Sequence, residues 1–398
     1  MRVRISDYVS KNEIIEITKK LVSIEGHKDT ADKESKVAEY IKDLLEKEEI
    51  EVETEEIEPN RSNVYGRLYG KENGIELMFN GHIDTIPGFT MDYEPFNPYI
   101  KNGKIYGRGS ADMKGGIAAM LSAVIAMKRA NVKLEKGVMF AGVIDEEERS
   151  KGTERLINRG LIPNMAVIGE PTELRVSIAH KGMEWIEVTF QGRSTHGSRP
   201  KEGINAIYAA SEFNRLVYKE LSPKIEDRKF DLVGNGTINV GVIKGGDDPN
   251  IVPDRCTVQI DRRWLPSETL EEVHEEIKEI AQRAVDSVGG SFELRGMREA
   301  TASMINTPHS IERDHKLVVE ALKSLEKVKG EKLEARDFPA WSDAALLSNN
   351  AHTKAIILGP GNINQAHAND EFCDIDEIIM ASEIYFDLVE KFCLEGDK

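Results

Sequence analysis

Cysteine is scarce in this sequence: Cys256, Cys373 and Cys393 are odd in number and widely spaced. That excludes a disulfide framework and any paired-cysteine metal site, and it fits a reducing compartment. Positive charge is also in deficit, with 53 Lys and Arg against 70 Asp and Glu and a formal net charge of −17. Phosphate backbones and anionic membrane surfaces would be repelled, which argues against nucleic-acid and membrane partners. An acidic cleft that holds divalent cations could still accept an anion. No apolar run reaches the roughly 18 residues needed to span a bilayer. The longest, "GIAAMLSAVIAM" at 116–127, falls well short, and "MRVRISDYVSKNEIIEI" has no apolar core after its charges. The expectation is a cytoplasmic protein without a signal peptide.

What is present suits a folded chain of more than one domain. The length of 398 residues exceeds the size at which a single core usually stops growing, and 40% hydrophobic residues can fill two. Residues 11–50 carry helical periodicity in two pieces, the second with Val37, Tyr40, Ile41, Leu44 and Leu45 on one stripe. The apolar runs "IELMFN", "GVMFAGVI", "MAVIGE" and "KAIILG" then read as buried strands, with helical segments such as 114–130 between some of them. That alternation predicts an α/β sheet. Between about 180 and 298 the rhythm changes to βαββαβ, the split pattern of a small ferredoxin-like domain inserted into the α/β chain.

The polar residues fall where those runs stop. "IELMFNGHID", "VMFAGVIDEEE" and "MAVIGEPTE" end in acid or histidine, and "AIILGPGNINQAHANDE" reaches its histidine eight residues after Gly359. In α/β sheets the loops at strand C-termini line the ligand crevice, so these segments could meet. Asp112 joins them from the glycine-flanked turn "GRGSADMKGG". His82, Asp112, Glu146, Glu147, Glu170 and His367 offer two imidazoles and four carboxylates, a set that suits two divalent ions, zinc first and cobalt or manganese next. With one Glu of the pair kept for proton transfer, three carboxylates and a bridging hydroxide would neutralise two such ions. Residues i and i+2 of an extended segment face the same way, so Asp84 is placed to accept from the non-ligating nitrogen of His82.

Taken together and in order, "GHIDTIP", "GRGSADMKGG", "DEEERSKGT", "IGEPTE", "STHGSRPKEGINAI", "GGDDPNIVPDRCTVQIDRR" and "GPGNINQAHANDE" resemble the M20 family of dinuclear metallohydrolases over nearly the whole chain. Within it the chain resembles the acetylornithine deacetylase and succinyl-diaminopimelate desuccinylase branch. The resemblance implies a three-layer catalytic domain of the zinc-exopeptidase type at 1–179 and 299–398, with a lid and dimerisation domain at 180–298. It implies that Asp112 bridges two metals, that His82 and Glu170 complete one, and that Glu147 and His367 complete the other. Glu146 would be the general base, because that task needs a carboxylate near the metals but not bound to them. His196 would stabilise the oxyanion from the partner subunit of a homodimer, and Asn250 and Arg263 would hold the substrate carboxylate. Where many relatives have glycine, this chain has Arg149 and Trp341, which leaves the acyl group open.

The expected activity is hydrolysis of an N-acyl amino acid by a water activated between two metals. Cleavage of a small peptide by a dipeptidase or carboxypeptidase is the alternative. A noncatalytic binding protein stapled by metal and a two-metal phosphoesterase are rivals of other classes; a spare Glu146 speaks against the former. His27, His180, His274, His309, His315 and His352 match no motif and are assigned to packing or surface, and Trp185 and Trp264 to the core of the inserted domain.

Overall fold

The computed structural model describes residues 4–297 and 304–394. The chain divides into two compact units, one of residues 1–179, 311–338 and 342–398, the other of residues 180–310 and 339–341. The expected return at 298/299 lies outside the described residues. The second unit runs on to Ser310, with Asn306 accepting from the Met183 amide at 2.9 Å and Thr307 from Trp341 Nε1 at 3.1 Å.

The first unit is built on a large mixed sheet. Its strands run in the order Glu51–Glu58, Arg61–Leu68, Gly137–Val143, Ile75–His82, Met165–Ile168, Lys354–Ile357 and Ser177–His180. From Gly137–Val143 to Lys354–Ile357 all neighbours are parallel. These are the four apolar runs, buried along nearly their whole length because helices cover the sheet. Helices Lys11–Val22, Gly115–Arg129, Lys316–Lys329 and Ile375–Cys393 pack with one another, while Ser35–Lys47 covers the two antiparallel strands at the edge. The helical run Ser110–Arg129 is long and apolar enough, by composition, to cross a membrane, but its apolar window is wholly buried, as a core helix is.

The outermost strand, Glu51–Glu58, carries no apolar run. It is held by charge: Glu53 pairs with Arg67 at 2.8 Å and Arg159 at 2.7 Å, and Glu55 with Arg155 at 2.6 Å and Arg159 at 3.1 Å.

The second unit has the ferredoxin-like arrangement. Four antiparallel strands lie in the order Thr237–Gly245, Arg255–Trp264, Gly182–Gln191 and Ser291–Gly296. Helices Ala206–Leu216 and Leu270–Val288 pack on them, and Thr269 with Glu272 forms a reciprocal cap at the start of the longer one. Ile186, Val188 and Phe190 point into the core with Val258, Ile260 and Phe213. Strand alternation therefore turns Trp185 outward, 37% exposed, against the expectation that it is core. Trp264 is buried as expected.

Candidate metal centre

Neighbouring parallel strands deliver their donors side by side. His82 is the last residue of Ile75–His82, Glu146 and Glu147 lie in the turn after Gly137–Val143, and Glu170 follows Met165–Ile168. Asp112 comes from the π-turn Ser110–Lys114 that leads into the core helix. His367 sits just past the short turn Ile363–Gln365, with a left-handed φ of 64°.

Donor atoms of His82, Asp112 and Glu170 lie within 4.8 Å of one another, and so do those of Asp112, Glu147 and His367. Asp112 belongs to both groups. Its Oδ1 is 2.9 Å from His82 Nε2, and its Oδ2 is 3.6 Å from His367 Nε2. Glu170 Oε1 stands 3.7 Å from His82 Nε2, and Glu147 Oε2 stands 2.9 Å from His367 Nε2. One carboxylate thus turns an oxygen toward each group. Glu146 belongs to neither.

The charge balance of this cluster asks for cations. Burial, then the neighbouring Glu170, pushes Glu146 well above the ordinary carboxylate range. Burial also raises Glu170 well above it, with His82 opposing and Asp112 and Glu147 reinforcing. Burial and Asp112 raise Glu147. Burial works to lower His82, but Glu170 and Asp112 outweigh it and leave the imidazole raised. Carboxylates crowded against one another under low solvent access are what a multivalent cation relieves, and oxygen with imidazole nitrogen is a donor set that fits borderline divalent metals.

Asp84 differs from the expectation. His82 Nδ1 lies 3.0 Å from the Asp84 carbonyl oxygen but 3.6 Å from its Oδ1, too long for a hydrogen bond. The backbone therefore orients the ring. The carboxylate accepts instead from the amides of Glu146 at 3.3 Å and Glu147 at 3.2 Å, and so grips the turn that carries both acids. The same turn starts at Asp145, left-handed at φ 70° and paired with the buried Arg61 at 2.6 Å.

Asp343 is a buried acid that the motifs did not single out. In "FPAWSDAALL" it reads as the cap of the helix Ala344–Ala351, yet its side chain makes no cap hydrogen bond. It accepts from Thr153 Oγ1 at 2.6 Å, burial pushes it up to about 6, and its charge adds to the pressure on Glu146 and Glu170.

In the second unit His196 and Asn250 stand together. His196 pairs with Ile251 in the ribbon Thr195–His196 with Ile251–Val252, and the Gly197 amide donates to the Asn250 carbonyl at 2.6 Å. His196 is exposed, its Nδ1 2.8 Å from Ser198 Oγ. Arg263 is not with them. The ribbon leaves the Arg255 end of the strand Arg255–Trp264, and Arg263 lies eight residues further along it, about 26 Å at the usual rise. Its guanidinium meets Asp261 at 2.9 and 3.1 Å. Arg149 is exposed, and Trp341 packs near His180 within the second unit.

Of the remaining histidines, His27 stacks on Phe96, His180 and His309 are buried together, His274 meets Glu184, and His352 is exposed at the end of the helix Ala344–Ala351. His315 caps the helix Lys316–Lys329. All three cysteines are buried and free.

A mixed sheet with an inserted antiparallel domain and an acid–imidazole cluster fits a metallohydrolase, and the comparisons with known proteins show that class. Residues 78–391 match the sequence model of peptidase family M20/M25/M40, and the chain belongs to that family, whose members hydrolyse C–N bonds. It is 31% identical over 331 residues to the acetylornithine deacetylase of Pasteurella multocida, covering 82% of each chain. It is 24% identical over 413 residues to a probable succinyl-diaminopimelate desuccinylase of Staphylococcus epidermidis, covering 96% of this chain and 98% of the other. The crystal structure of aminopeptidase PepT from Bacillus cereus superposes with a TM-score of 0.79 at 19% identity, over 96% of this chain and 99% of that one. At that identity the likeness speaks for the fold alone.

Proposed function

We propose that the protein is a two-metal amidohydrolase that releases the acyl group of an N-acyl amino acid. The observation that carries this reading is the Asp112 carboxylate, with one oxygen toward His82 and the other toward His367, beside a Glu146 that joins neither donor group. The similarity to proteins named as deacetylases and desuccinylases supports an acyl amino acid over a peptide. Buried free thiols suit work in a reducing cytoplasm.

Zinc, cobalt or manganese ions held by His82, Asp112 and Glu170, and by Asp112, Glu147 and His367, would acidify a shared water and polarise the scissile carbonyl. Glu146 accepts the proton of the attacking water and passes it to the departing amine nitrogen, a task for a carboxylate beside both donor groups and in neither. Asp84 keeps the two neighbouring acids apart in role by fixing the amides of both. Arg263 of one chain takes the substrate carboxylate together with Asn250 of the partner, since Asn250 stands beside His196, and His196 donates to the developing oxyanion. A small substrate touched by Arg263 of one chain is out of reach of that chain's own His196, whose ribbon leaves the Arg255 end of a strand that runs about 26 Å from Arg255 to Arg263. This supports a homodimer in which the second unit, as lid and dimerisation domain, lends His196 to the partner.

The reading is tested by offering N-acetyl, N-succinyl and N-formyl amino acids and dipeptides with added zinc, cobalt or manganese. Acyl amino acids should be hydrolysed best. Turnover of dipeptides alone would move the protein to the peptidases, and inertness toward every amide in a metal-replete preparation would reject the proposal. His196→Ala should keep its metal and lose about 100-fold in kcat. Mixing it with Glu146→Ala chains should restore part of the activity, since one hybrid site would be intact; no recovery after verified subunit exchange would remove the role in trans.

A further inference from the structure

The backbone that presents Asp112 is poorly held by its own segment. Inside the π-turn Ser110–Lys114, Asp112 and Met113 have non-helical angles, and Gly109 before it is left-handed at φ 82°. The amides left over converge on one distant side chain, Glu371. Its Oε1 accepts from the amides of Ala111 at 3.0 Å and Asp112 at 3.2 Å, and its Oε2 from the Gly109 amide at 3.0 Å and Arg108 Nη1 at 2.7 Å. Glu371 is wholly buried and stands four residues after His367 in "HANDE". Its own carbonyl accepts from Tyr93 Oη at 2.7 Å and from the Gly107 amide at 3.2 Å.

Every partner of this carboxylate is a donor. It joins the loop of the shared acid to the loop of His367, the two pieces of the second donor group that do not sit at a strand end.

We propose that Glu371 is a positioning residue that fixes the Asp112 carboxylate between His82 and His367 and so sets the metal geometry before any ion arrives. The inference rests on reading Asp112 as the shared ligand. A glutamine at 371 would turn a donor toward amides that are themselves donors, and an aspartate would be one methylene too short to meet all four.

Metal-free wild type, Glu371→Gln and Glu371→Asp are titrated with cobalt(II), following visible absorption for coordination and far-ultraviolet circular dichroism for folding. The expected result is folded variants that bind cobalt about 10- to 100-fold more weakly and with altered bands. Folded variants with wild-type affinity and spectrum, even at a lower melting temperature, would overturn the inference and leave Glu371 a purely structural residue. Absence of cobalt binding by wild type would instead defeat the reading of the metal centre itself. Should neither variant fold, amide hydrogen exchange of metal-free wild type decides. Residues 109–112 should be protected before cobalt is added; rapid exchange there, slowed only by the ion, would show that the loop is not preset.

Discussion

Glu146→Ala should hold as much metal as wild type while kcat falls about 10²- to 10⁴-fold, the range that a lost general base commands. Glu147 lies in the donor group with Asp112 and His367, whereas Glu146 lies in neither group and feels the charge of Glu170 and Asp343. Adjacent residues would ordinarily be hard to tell apart in role. Here Asp84 binds both of their amides, which holds the two side chains in separate directions from one rigid turn. Glu147→Ala is the internal control and should lose metal. Elemental analysis and steady-state kinetics on the two variants check the assignment; loss of metal from the Glu146 variant with metal retained in its neighbour would exchange the roles.

Asp112→Ala should be more damaging still, because it removes a donor from both groups at once. Metal content should fall for both sites, and activity with it. Binding to the native state alone stabilises it by RT ln(1 + [L]/Kd), so the rise in Tm that wild type gains from added zinc or cobalt should shrink sharply in this variant. Thermal melts with and without metal measure that difference independently of any substrate. A variant that kept the full metal-dependent gain in Tm would show that Asp112 is not shared.

The parallel strands and the donors after them are legible in sequence because three of the four apolar runs stop directly at an acid or a histidine, and the fourth reaches His367 eight residues after Gly359. "EVETEEIE" is not legible as a strand by the same signal. Its place is secured by Arg67, Arg155 and Arg159, two of them about 100 residues away, so the hydrophobic pattern there is nearly silent. Asp84 is legible as a neighbour of His82 but not in its contacts, since a spacing of two residues says which way a side chain leans and not whether the carbonyl reaches first. Glu371 shows in sequence only as an acid near a histidine, because the amides it gathers lie some 260 positions earlier. Membership of a strand does not by itself put Trp185 in the core. In a strand with one covered face, parity decides, and the even-numbered Ile186, Val188 and Phe190 had already taken the core.

The strand Glu51–Glu58 has a further consequence. It is the open border of the large sheet, a place where a second chain could add a strand of its own. Five of its eight residues are glutamates, so an incoming copy would have to strip water from a row of charges to dock there. The charged border works as a guard against fibrous growth, and acid or concentrated salt should be the conditions that lower it.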